Sequence, residues 1–104
     1  MKPVDFDAAA EDEITEAVYW YNARSWAVAD RLLAELAEAV ATLPDLPKRH
    51  PVILRTSHGT PIRKRLLRAF PYALIFLETD HSFRVVAFPH SSRRPLYWRE
   101  RVER

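Results

Sequence analysis

The chain has 104 residues, of which 48% are hydrophobic and 29% charged, enough for one compact domain with a real core and against global disorder. It contains no cysteine, which excludes disulfides and thiolate metal sites. No apolar run reaches the roughly 18–20 residues of a membrane-spanning helix and no signal peptide opens the chain, so a soluble, cytoplasmic protein is expected. The net charge of +2 hides an asymmetry. Residues 1–47 carry ten acids and three bases, a net −7, whereas residues 48–104 carry thirteen bases and four acids, a net +9. Such a split predicts a dipolar domain whose positive side meets an anionic partner.

Val4-Asp5-Phe6 reads as a short edge strand. Asp7 is placed to cap a helix over Ala8 to about Arg24, with Glu11, Asp12 and Glu13 early, where the helix dipole favours anions. Ala10, Ile14, Ala17, Val18 and Tyr21 recur at helical spacing and form its buried stripe, which Tyr19 and Trp20 extend or flank, with packing on the core expected for both. After a tight link, Ser25 caps a second helix running to about Leu43, with Ala29, Leu32, Leu33, Leu36, Val40 and Leu43 as its stripe. Two amphipathic helices so closely joined should pack as an antiparallel hairpin. Pro44 ends the second helix, since it lacks an N–H and its ring blocks continuation.

Residues 44–61 are irregular, with Pro47, Pro51 and the single glycine, Gly59; Val52-Ile53-Leu54 offers a short strand or a hydrophobic plug. From Ile62 the period becomes that of strands. Ile62–Ala69 is basic, and Tyr72–Thr79 is apolar on both faces and therefore central in a sheet. Asp80-His81 forms a hairpin turn into a strand over Phe83–Phe88. The predicted fold class is α+β, a single domain over residues 1–104. Its N-terminal helical hairpin covers one face of a small, mainly antiparallel sheet, and the other face is left more polar and cationic.

Two constellations could carry chemistry. The first is Arg63, Lys64, Arg65 and Arg68, where alternation sends Arg63 and Arg65 to one face and Lys64 and Arg68 to the other; guanidinium forks suit phosphate oxygens. The second is His90 at the end of the last strand, followed by Arg93, Arg94, Tyr97 and Trp98. A histidine beside arginines serves acid–base chemistry at phosphorus, or else it bonds backbone at a strand end while Tyr97 and Trp98 pack on the core. His50, His58, His81 and His90 lack metal-ligand spacing, and one glycine cannot build a phosphate-cradling loop, so neither metal nor cofactor is expected.

The order Ala17-Val18-Tyr19-Trp20-Tyr21, Arg31-Leu32-Leu33, Arg65-Leu66-Leu67-Arg68-Ala69-Phe70-Pro71-Tyr72 and His90-Ser91-Ser92-Arg93-Arg94-Pro95-Leu96-Tyr97-Trp98-Arg99-Glu100-Arg101 resembles the RelE/ParE superfamily of toxins from type II toxin–antitoxin systems. The resemblance runs over nearly the whole chain and implies the same α+β fold, a cognate antitoxin as partner in a hetero-oligomer, and no membrane association. It also implies one of two activities. ParE-like members poison DNA gyrase, and the helical hairpin and Phe-Pro-Tyr start resemble that side. RelE-like members are metal-independent, ribosome-dependent mRNA endoribonucleases, and on that alternative His90, Arg93 and Tyr97 are the catalytic candidates. In either case Arg63, Arg65, Arg68, Arg94, Trp98 and Arg101 are the candidates for binding nucleic acid or target.

Overall fold

A computed structural model describes residues 2–45 and 49–103. The elements run β1 (Val4–Phe6), α1 (Ala8–Asn22), α2 (Trp26–Thr42), β2 (Val52–Arg55), β3 (Pro61–Leu66), β4 (Ala73–Glu78), β5 (Phe83–Ala87) and a short α3 (Arg99–Val102). They form one five-stranded sheet of order β1-β5-β4-β3-β2, antiparallel throughout except for β1, which lies parallel to β5. The expected α+β architecture is therefore present. The apolar strand is β4, central between β5 and β3 as its two-sided hydrophobicity predicts. Residues 46–48, part of the irregular segment that includes Pro47, lie outside the described residues.

The helical hairpin behaves largely as its periodicity predicts. Ser25 caps α2 by accepting a hydrogen bond from the Val28 N–H at 3.3 Å. Ala10 and Ala17 of α1 and Leu32, Leu36, Ala39 and Leu43 of the second helix and its cap are buried against Leu74, Phe76, Val85 and Phe88 of the sheet side. Three expectations fail. Tyr19 and Trp20 do not extend the stripe; they are 70% and 51% exposed. At about 100° per residue, Tyr19 points away from Ala17, and Trp20 sits at the edge, with the Arg24 guanidinium 3.6 Å above its ring. Leu33 is likewise exposed, and Ala39 takes the buried position instead. Asp7 occupies the cap position of α1, but its carboxylate makes no capping bond. It accepts both forks of the Arg84 guanidinium at 2.8 Å, a bidentate ion pair stronger than a neutral cap.

β3 ends at Leu66 rather than Ala69 because α2 takes over the next amides. The Glu35 carboxylate accepts from the N–H groups of Arg68 and, at 3.1 Å, Ala69. Phe70-Pro71-Tyr72 then reverses the chain, with the Tyr72 N–H bonded to the Phe70 carbonyl at 2.8 Å. Between Thr79 and Ser82 the predicted hairpin turn closes through a 2.8 Å bond from the Thr79 N–H to the Ser82 carbonyl.

The face opposite the helices is not the polar, cationic surface expected. Ile62, Ile75, Leu77, Val86 and Ala87 form a second apolar cluster on it, and Trp98 and Val102 from the C-terminal segment cover them. A bulge makes this possible. β4 and β5 pair Ile75 with Ala87 but Phe76 with Val85, so Val86 is an extra residue and the alternation of β5 changes phase there. Val86 and Ala87 both join the second cluster, and Phe88 returns to the helix face. There Phe88 stacks on Tyr72, with ring centroids 4.8 Å apart.

Candidate functional site

The C-terminal segment that covers the second face leaves a cleft of about 380 Å³ between itself and the β3 end of the sheet. Ile53, Ala73, Ile75 and Trp98 line its apolar interior, and Lys64, Arg93 and Arg94 supply its charge. His90 stands beside it, anchored by an isolated antiparallel bridge to Tyr72 and by edge-on contact with the Tyr72 ring at 5.1 Å. Its Nδ1 accepts the Ser92 backbone N–H at 3.0 Å and lies 2.8 Å from the Ser92 hydroxyl. A backbone N–H can only donate, so the neutral imidazole carries its proton on Nε2. The backbone-bonded strand-end role foreseen for His90 is thus present, and Nε2 remains for other chemistry.

The groups beyond His90 separate into an outer and an inner set. Arg93 and Arg94 are exposed, and the Arg93 guanidinium lies 4.0 Å above the Tyr97 ring. Tyr97 directs its hydroxyl inward, where it is buried on the side of Glu13; among the described residues Oη has no partner at good hydrogen-bond geometry. Burial first, then the neighbouring Glu13 carboxylate, push its pKa well above the ordinary tyrosine value, although Arg101 and Arg93 act the other way. Trp98 is 2% exposed and belongs to the second core. Arg101 is bound by Glu13 through two contacts of 3.1 and 3.0 Å and by the Val86 carbonyl at 2.8 Å. Glu13 also accepts the Phe88 N–H at 2.9 Å. Burial raises the Glu13 pKa most, yet Arg101, Phe88 and Tyr97 together outweigh it and hold the carboxyl below its ordinary range.

The basic strand divides as alternation predicts for Arg63, Lys64 and Arg65. Arg63 and Arg65 turn to the helix side, where Arg63 bonds the His50 carbonyl at 2.8 Å and Arg65 bonds Ala39 and Thr42 of α2 at 3.1 and 2.7 Å. Lys64 alone turns to the cleft. Arg68 does not accompany it, because the strand has already ended; its guanidinium lies 3.8 Å from Glu38 on the helix side, largely exposed. Of the residues singled out in the sequence, His90, Arg93, Arg94, Tyr97 and Trp98 line one cleft, Trp98 as part of the second core. Arg101 is bound by Glu13 outside it, and Arg63, Arg65 and Arg68 are elsewhere.

Lys64, which alternation against Arg63 and Arg65 sends to this face, is at the cleft, and Leu66 and Leu96 join it without a signal in the local sequence. Glu13, which holds the C-terminal segment, is a further such residue. No local spacing marks it, since its partners Phe88 and Arg101 lie 75 and 88 residues away.

No family model matches the chain, and no curated protein matches it. Among solved structures, a chain from the "Chromosomal ParDE TA system from P. aeruginosa" is similar, with a TM-score of 0.69 and 14% sequence identity, over 86% of this chain and 96% of that one. The two chains share a fold, that of a helical hairpin on a mainly antiparallel sheet, as the sequence resemblance implied.

Proposed function

We propose that this chain is the toxin of a type II toxin–antitoxin module, a ParE-like growth inhibitor that acts on DNA gyrase in the cytoplasm and is neutralised by a cognate antitoxin. The observation that carries this reading is the near full-length likeness of fold to a ParDE chain. A shared fold alone does not fix an activity, and the preference for gyrase over mRNA is supported by the geometry of the cleft. Cleavage of RNA by His90, Arg93 and Tyr97 would need their reactive atoms to converge on one phosphate. Instead the Tyr97 hydroxyl is buried on the side of Glu13, with its ionisation disfavoured, and Arg101 is already bound by that carboxylate. The cationic groups left outside, Lys64, Arg93 and Arg94, suit a binding surface better than a catalytic one.

Induction of the chain alone in bacteria should stop growth, and co-expression of a small antitoxin encoded beside it should restore growth. Purified chain should inhibit supercoiling by gyrase, while primer extension on RNA from induced cells shows no new codon-positioned ends. His90→Ala should remain folded and toxic. Codon-positioned cuts that disappear in His90→Ala would instead establish the nuclease, in which a general acid contributes about 10²–10⁴-fold to the rate.

A further inference from the structure

We infer that the cleft beside Lys64 docks an acidic protein segment through one bulky apolar side chain. Three features of this surface lead there. First, the cleft is apolar inside and cationic outside: Ile53, Ile75 and Trp98 lie within, Lys64, Arg93 and Arg94 line it, and no aspartate or glutamate is among its lining residues. Water in such a space is poorly held, and an apolar group that displaces it gains from burial, while surrounding cations select the sign of the flanking charges.

Second, two leucines are exposed beside it. Leu66, the last residue of β3, is 67% exposed, and Leu96 is 37% exposed; both line the cleft. They extend the apolar surface outward, where an incoming side chain would cover them. Third, Leu96 has φ of +60°, a left-handed conformation that costs a non-glycine residue about 1–2 kcal/mol. Glycine would relieve that strain. A leucine kept there presents apolar surface at the cleft, and strain of this kind gathers at binding sites.

The same surface is poorly made for single-stranded nucleic acid, which needs free aromatic faces along a cationic track. Trp98 is buried in the core, and Arg93 already covers the Tyr97 ring. The inference names a ligand class for the same cationic groups that the toxin reading assigns to binding, and the two fail separately, since growth assays decide that reading and peptide binding decides this one.

The test is selection of a random-peptide display library on the immobilised full chain, followed by fluorescence anisotropy with the enriched peptides. The expected consensus is a large apolar residue flanked by aspartate or glutamate. Lys64→Glu and Leu66→Asp, both changes at solvent-accessible side chains, should each weaken binding by about tenfold or more, with circular dichroism unchanged. An oligo-dT strand should bind no more weakly to Leu66→Asp and Lys64→Glu than to the parent chain, apart from the electrostatic cost of one added negative charge in Leu66→Asp and of a two-unit charge change in Lys64→Glu. No enrichment, a basic or uncharged consensus, or equal binding to the parent and Leu66→Asp chains would overturn the inference. So would an oligonucleotide whose binding depends on Leu66, which would make the cleft a nucleic-acid site.

Discussion

The two faces of the sheet are closed in different ways. On one, α1 and α2 lay a continuous stripe of small and branched apolar residues over Leu74, Phe76, Val85 and Phe88. On the other, a short C-terminal segment does the same work with Trp98 and Val102, held by Arg101 on Glu13 and by Arg84, which bonds both the Asp7 carboxylate and the Arg101 carbonyl. The helical face spreads its stabilisation over many side chains. The C-terminal face concentrates it in one indole and two ion pairs, and that economy leaves room for the cleft. Single substitutions should therefore act very differently on the two faces.

The largest expected effect is at the indole. Trp98→Ala should cost about 3–5 kcal/mol, read from denaturant unfolding, and should remove the cleft. A loss below about 1 kcal/mol would mean that the C-terminal segment is not part of the folded core. Next comes the carboxylate that joins the segment to α1. Glu13→Gln should destabilise by roughly 2 kcal/mol, since it weakens charge-assisted bonds to a largely buried guanidinium.

The same residue sets a pH signature. The folded pKa of Glu13 is depressed, so its stabilising contribution is complete above the unfolded carboxylate range and is lost as pH falls through the folded value. His50 acts in a higher window. Burial first, then Arg65, Arg63 and Arg49, lower its pKa below the ordinary 6.5, so stability falls as pH drops below about 6.5 and His50 protonates in the unfolded chain. Unfolding measured from pH 8 downward should show both declines in the parent chain; Glu13→Gln should lose part of the lower one and His50→Gln the upper one.

Smaller effects sharpen the contrast. Leu96→Gly should stabilise by about 0.5 kcal/mol, as relief of the left-handed strain exceeds the added freedom of the unfolded chain. It should at the same time weaken binding of an acidic peptide. Smallest of all, Trp26→Ser and Tyr19→Ser should each change stability by less than about 0.5 kcal/mol, because these aromatic side chains are 72% and 70% exposed. A large loss at either would show that the hairpin buries them against something.

What the sequence determined by itself were the features set by neighbours a few residues apart. The stripes of α1 and α2, the Ser25 cap, the stop near Pro44, the central place of β4 and the turn at Thr79–Ser82 all follow from local spacing and local hydrogen bonding. So does the gathering of His90, Arg93 and Arg94, which adjoin in the chain. What only the tertiary structure decided were the choices between competing partners. Asp7 could cap its own helix or bind Arg84, 77 residues away, and the ion pair won. Arg101 could face solvent or close on Glu13, and the buried carboxylate took it. The bulge at Val86 sent Phe88 to the helix face and Ala87 to the other, which strict alternation could not foresee. The second face closed for the same reason: a sheet apolar on both sides needs two covers, and periodicity announces a helical cover but not an irregular one that hangs on a single tryptophan.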